Sequence, residues 1–124
     1  MYNINNKNTK DMNYNIQDSK AIIVRNKRII KQLVVSEITH IIYDSYLCDI
    51  FTLTDKFTMS RLLKTFEDEP VFDNFIRINN STLINATHIN YIDRIKKAVI
   101  LKSNIELPFS TRRWKYIKSR LQNV

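Results

Sequence analysis

The side chains able to do acid–base, nucleophilic or metal chemistry are few here and stand apart. His40 and His88 have no cysteine or second histidine at ligand spacing, and no HExxH pair exists. Each reads as a structural histidine, His40 in a strand between Thr39 and Ile41 and His88 at a turn. Cys48 is the sole cysteine, which rules out an intramolecular disulfide framework and a multi-cysteine zinc site. Nothing beside it marks it as a nucleophile. Glu67, Asp68 and Glu69 cluster at the end of a helical pattern and read as a solvated face, not an acid/base pair. Glycine is absent, so P-loop and dinucleotide-binding fingerprints are excluded. The reading is of a chain that is not an enzyme and needs no metal or cofactor.

The chemistry that remains is attraction of polyanions. Residues 1–93 carry 11 Lys+Arg against 11 Asp+Glu, whereas residues 94–124 carry nine basic side chains against Glu106 alone. The whole net charge of +8 therefore sits in the last quarter. A second basic stretch, Lys20 to Lys31, holds five cations and no carboxylate, and Glu37 to Asp73 is acidic. A chain polarised this way can turn one face toward nucleic acid. A charged surface kept only for solubility is the plainer alternative. An acidic membrane is a weaker one, since no long amphipathic basic helix precedes an anchor.

These charges need elements to position them. With 124 residues the chain has the size of one domain, and 44% hydrophobic with 26% charged residues excludes global disorder. Met1 to Ser19 is polar and asparagine-rich and reads as a flexible arm, with the ordered domain over residues 20–124. Ala21–Val24 and Ile29–Val35 read as strands around a turn at Asn26, followed by a break at Ser36-Glu37. Ile38–Asp44 is a third strand. Leu47–Thr54 alternates, with Cys48 and Ile50 on one face and Leu47, Asp49 and Phe51 on the other. Asp55-Lys56 turns the chain into Phe57–Met59.

Ser60 to Glu69 predicts a helix capped by Ser60, with Leu62, Leu63 and Phe66 on one face and Pro70 ending it. Short strands follow over Phe72–Ile78, Thr82–Ile84, Ile89–Ile92, Ala98–Lys102 and Ile105–Phe109, with Ser103-Asn104 as a two-residue hairpin turn. Thr111–Leu121 has Trp114, Ile117 and Leu121 at helical spacing. Without glycine, tight turns should fall to Asn or Asp. The fold class is mainly β: antiparallel sheets of about ten short strands, one inserted short helix and a C-terminal helical segment. No apolar run reaches the ~18–20 residues of a membrane span, and the N-terminus has no signal-peptide stretch, so a cytoplasmic protein without membrane insertion is expected.

Two blocks carry a resemblance. Phe75, Arg77, Ser81, Asn85 and Ile89 form the first; Leu107, Pro108, Ser110 and Arg112 form the second. In this order, with Ile38–Asp44 and the helix at Ser60 before them, the chain resembles the LytTR DNA-binding domain family over about Ala21 to Leu121. The turn before the second block carries Asn104 where the family usually has glycine. A receiver domain of the kind that often precedes these domains is not expected here, which bears on phosphorylation control and not on DNA binding.

The resemblance implies a mainly β, bacterial, response regulator-like transcriptional regulator. It would bind double-stranded DNA sequence-specifically through loops inserted in major grooves, with paired repeats taken by two copies. A homodimer on DNA and a regulatory protein partner are compatible with it. By resemblance, Arg112 and Asn80 would contact bases, with Ser45, Tyr46 and Cys48 as candidates from the loop after Ile42. Arg77, Ser81, Ser110, Arg113 and Lys115 would hold phosphates, joined by Lys96 and Lys97 of a hairpin loop.

Each has a plainer reading. Arg77 could pair with a carboxylate such as Asp73. Asn85 could form a turn. Ser81 could satisfy backbone groups. Trp114 could be core. The alternative function is a protein or membrane-partner interaction module of the same fold that has lost DNA binding. Convergence of Arg112, Asn80 and the Asp44–Asp49 loop on one positive surface separates the two.

Overall fold

A computed structural model describes residues 20–122 of the chain; the arm expected over residues 1–19 lies outside them. A two-stranded ribbon, β1 (Ala21–Arg25) and β2 (Ile30–Val34), comes first. Its turn is closed by Asn26, whose Oδ1 accepts from Arg28 N and Ile29 N at 2.9 and 3.0 Å. Next come β3 (His40–Asp44), β4 (Leu47–Phe51), β5 (Lys56–Met59), a short helix α1 (Leu63–Glu67), β6 (Phe75–Asn79) and β7 (Thr82–Asn85). These strands form one antiparallel sheet in the order β5-β4-β3-β7-β6. The chain ends with β8 (Ile89–Asp93), β9 (Ala98–Leu101), β10 (Glu106–Pro108) and helix α2 (Trp114–Leu121); β9 is the centre of a three-stranded sheet. The mainly β architecture read from the short strands is the one observed.

The five-stranded sheet is covered on both faces, and the period-two alternation of its strands divides two cores. Phe75 and Leu83 point to one face, where Val24 and Leu33 of the ribbon, Phe66 of α1, and Ile41, Cys48, Ile50 and Phe57 are buried. Ile76, Ile78 and Ile84 point to the other, against Val99 and Leu101 of β9, Leu107, Phe109 and Ile117 of α2. Each buried aliphatic or phenyl side chain contributes roughly 1.5–3 kcal/mol relative to exposure. This double burial fixes strand register, because a one-residue slip would exchange the two faces.

Three local expectations are corrected. The first helix begins at Leu63, not after Ser60, and Leu62 stands exposed at its N-cap without a side-chain cap. Arg61 explains the delay. Its guanidinium lies 3.8 Å over the Phe66 ring and bonds Thr65 and Glu69, while its carbonyl accepts from Cys48 Sγ at 3.1 Å. The Ser60–Leu62 backbone thus stays extended to pack. Pro70 opens a 3-10 turn over Pro70–Phe72, so the next strand begins at Phe75 instead of Phe72.

The β9–β10 loop, expected as a two-residue turn at Ser103-Asn104, has three residues, with Leu101 N bonded to Ile105 O and Asn104 N to Leu101 O. Asn104 takes the left-handed conformation at φ 71°, as the αL residue of such a loop must. Yet among the described residues Asn104 is the only Asn or Asp of five with positive φ; the others are Lys20, Ser45, Tyr46 and Lys97.

Candidate nucleic-acid interface

Strand direction decides which loops are neighbours. Ile42 of β3 lies opposite Thr82 of β7, so the β3–β4 tip at Ser45-Tyr46 and the β6–β7 loop at Asn80-Ser81 leave the same end of the sheet. Tyr43 N donates to Ser81 O at 2.8 Å and joins them. The next join is the side chain of Asn79, whose Nδ2 donates to Pro108 O at 2.6 Å. Ser110 N donates to Ile78 O at 2.9 Å, which fixes the start of the 3-10 turn Thr111–Arg113 beside β6. Phe109 N donates to Lys97 O at 3.0 Å and brings in the β8–β9 loop. Arg112, Asn80, Ser45 and Tyr46 thus stand on loops at one end of the molecule, all four exposed.

The cations at this end are concentrated in its last segments. Lys96, Lys97 and Arg94 of the β8–β9 loop are exposed, as are Arg112 and Lys115; Arg113 and Ser110 are half-buried. Lys96 Nζ lies 3.2 Å from Glu106 Oε2, and that hydrogen bond and charge hold its ammonium above the ordinary lysine range. The carboxylates nearby are committed elsewhere. Glu67 and Glu69 pair with Arg77 and Arg61 at 2.6 and 2.8 Å, Asp93 accepts from Ile95 N and Lys96 N, and Asp44 accepts from Ser45 Oγ. The two arginine pairings reduce repulsion of a polyanion, whereas Asp44 and Asp93 are oriented by neutral donors and keep their charge.

Some expected contacts turn out to be supports. Cys48 is fully buried in β4, its Sγ donating to Arg61 O, and burial pushes its thiol up to about 11. It cannot reach a base, and this corrects the expectation. The β3–β4 loop has only two residues, which puts Cys48 inside the strand.

Arg77 is a brace. Its Nη1 pairs with Glu67 Oε1, while Nη2 and Nε donate to the carbonyls of Asn80 and Asn79 at 2.7 and 3.3 Å. With its side chain only 19% exposed, the phosphate role expected of Arg77 gives way to holding the Asn80 loop. Ser81 is held by the same loop: its N and Oγ both donate to Asn79 Oδ1.

The motif residue Asn85 is buried and structural. Its Nδ2 donates to Ile38 O, while its Oδ1 accepts from Thr87 N, Thr87 Oγ1 and Asn74 Nδ2. Trp114 stacks on Phe109 at 5.3 Å and is a core side chain. His40, buried and stacked on Phe51 at 4.4 Å, is pulled down to about 4 by burial and then by His88.

Two residues at this end escaped the sequence reading. Asn79 ties the two principal loops together; an Asn at a strand end before a turn is its only local signal. Arg94, whose guanidinium lies 5.8 Å from the Trp114 ring centre, adds a cation beside Lys97. Among the described residues no group of three or more His, Cys, Asp or Glu side chains could hold a metal, and no helix is long and apolar enough to cross a membrane.

Residues 27–122 match the family model of the LytTr DNA-binding domain. The chain belongs to that family. LytTr domains are DNA-binding domains of transcriptional regulators and not an enzyme family. The fold agrees with a solved structure, the LytTr DNA-binding domain of a Bacillus cereus protein described as a methyl-accepting/DNA response regulator. The two superpose with TM-score 0.73 at 18% identity, over 82% of this chain and 96% of that one. No curated protein sequence matches the chain. In this LytTr domain, the two blocks that carried the resemblance divide between support and display: Phe75, Arg77 and Asn85 build the frame, and Arg112 is presented by it.

Proposed function

We propose that this LytTr domain binds double-stranded DNA sequence-specifically, as part of a transcriptional regulator, by presenting a row of loops to the grooves. The observation that carries the reading is the hydrogen-bonded joining of the β3–β4 tip, the β6–β7 loop and the turn bearing Arg112 at one end of the sheet. Dispersion of those residues would have favoured a protein-binding module.

Arg112 offers a planar fork to guanine O6 and N7, and Asn80 an amide to adenine. Tyr46 and Ser45, at the tip of a tight hairpin, reach a neighbouring stretch of groove. Ser110, Arg113, Lys115, Lys96 and Lys97 supply phosphate contacts around them. Two copies on paired repeats would double this footprint. Selection of sites from random duplexes, followed by binding to every single-base variant, tests the reading. One enriched sequence with a position lost on Arg112→Lys supports it, and no enrichment over random duplex sinks it.

A further inference from the structure

The basic stretch Lys20 to Lys31 has no role in the interface described so far. Its charges are carried by the β1–β2 ribbon, and the ribbon's orientation gives them one. Lys20 and Val35, at its open end, line a cleft with Asn85 and Phe75, at the sheet end remote from the loops. Arg25 and Ile30, next to its turn, line another cleft with Thr58, Met59 and Ser60. Met59 pairs with Cys48, two residues from Tyr46. The turn residues Asn26 to Ile29 therefore leave the ribbon at the same end as the β3–β4 tip, on the β5 side. Arg25, Lys27, Arg28 and Lys31 are all exposed there, and no carboxylate occurs between Lys20 and Ser36.

The loops fall in a line that follows strand order: the ribbon turn, the β3–β4 tip, the β6–β7 loop, then the Arg112 turn with the β8–β9 loop. Five strands at about 4.8 Å spacing make the central part about 20 Å wide. The ribbon packs on one face beside β5 and the three-stranded sheet on the other, with Pro108 and Ser110 bonded to β6, so the row runs obliquely from one face of the sheet to the other. Its two ends are basic.

We infer that the β1–β2 turn is a phosphate-binding finger. Lys27 and Arg28 hold the DNA backbone that flanks the segment reached by Tyr46, at the end of the footprint opposite Lys115. Asn26 sets the finger's shape by closing the turn on Arg28 N and Ile29 N. The contact is with phosphate and not with bases, because it rests on charge and on a backbone-closed turn.

This inference rests on the DNA-binding reading, and the experiment separates the two. The full chain and its Lys27→Gln/Arg28→Gln variant are titrated with the selected duplex at 50–200 mM salt, alongside Lys115→Ala and Arg112→Ala. The duplex is also shortened by several base pairs from each side in turn. Melting temperature and far-UV circular dichroism of the double variant should match the parent, since both side chains are exposed.

Two lost phosphate contacts should reduce the slope of log K against log salt by about 1.8, so the parent loses roughly tenfold more affinity than the variant across that salt range. The loss should be equal for all single-base variants of the site. It should vanish on the duplex trimmed at the flank nearer Tyr46 and persist on the other. An unchanged slope in the double variant, with Lys115→Ala and Arg112→Ala still weakened, overturns the finger alone. A slope effect that survives trimming of either flank overturns its placement. No effect of any of the variants overturns the DNA reading itself.

Discussion

At Ser45 and Tyr46 the backbone takes φ 52° and 73° in a two-residue loop between paired Asp44 and Leu47. Both positive values make it a type I′ turn, where Asn-Gly is the favoured pair. A tyrosine in that conformation costs roughly 1–2 kcal/mol against a glycine free of it. Tyr46 is nonetheless 81% exposed and packs on nothing that would repay the strain. Tyr46→Gly should raise stability to chemical denaturation by up to about 1 kcal/mol while weakening DNA binding. Weaker binding without loss of stability marks a contact residue, and unchanged binding removes Tyr46 from the interface.

Arg112 is tested by its geometry instead. Arg112→Lys keeps the charge and loses the fork, so discrimination at one base position should fall by roughly 1–3 kcal/mol. An unchanged preference at every position would falsify the base-reading role. A third residue reports on the frame. His40 is neutral and buried, with a folded value of about 4 against an ordinary 6.5. Between those values the unfolded chain binds more protons, so stability is full above pH 6.5 and declines as pH falls toward 4, by up to about 3 kcal/mol. His40→Gln should flatten that part of the pH–melting profile.

Among the elements, the β6–β7 hairpin is shaped by a chain of side-chain hydrogen bonds that starts outside it, at Glu67. Glu67 of α1 holds Arg77, Arg77 holds the Asn79 and Asn80 carbonyls, and Asn79 holds Ser81 and Pro108. Glu67→Gln keeps the shape of the side chain and removes its charge. It should cost about 1–3 kcal/mol of stability, the worth of a hydrogen bond to a charged group. Discrimination should fall at the base read by Asn80 and stay intact at the base read by Arg112. Loss at both positions would show instead that the two loops move as one unit through Asn79. Binding to single-base duplex variants, with thermal melting as the control, measures both.

These dependencies also explain what the sequence could disclose. The strand β4 was legible because its residues alternate between a buried and a less buried face. The Arg112 turn was legible because the Leu107-Pro108 block precedes a helical pattern. The start of α1 was not, since Ser60 carries a local cap signal that the tertiary contacts of Arg61 override. Nor was the Asn79–Pro108 bond, which joins residues 29 apart and leaves no periodic trace. Lys97 and Tyr46 in left-handed conformations were equally hidden, because no propensity places them there.

On the scale of the whole molecule, charge and topology are polarised along the same direction. Residues 94–124 hold a net +8, and their cations Arg94, Lys96, Lys97, Arg112, Arg113 and Lys115 cluster on the β8–β9 loop, the Arg112 turn and the start of α2. Four of the eight carboxylates of the acidic middle, Asp49, Glu67, Asp68 and Glu69, are held in pairs with Lys56, Arg77, Lys64 and Arg61. A phosphate backbone approaching the loop end therefore meets cations that can displace the counterions condensed on the DNA. If about six to ten phosphates are contacted by the cations of the whole footprint, log K should fall against log salt with a slope of roughly −5 to −9. Lys115→Ala should reduce that slope by about one and weaken all sequences equally, in contrast to the position-specific loss of Arg112→Lys. The measurement is binding to one duplex at four or more salt concentrations between 50 and 300 mM. A slope shallower than about −2 would mean that the basic quarter touches few phosphates. The excess charge would then serve solubility, and the loop row would have to bind an uncharged surface.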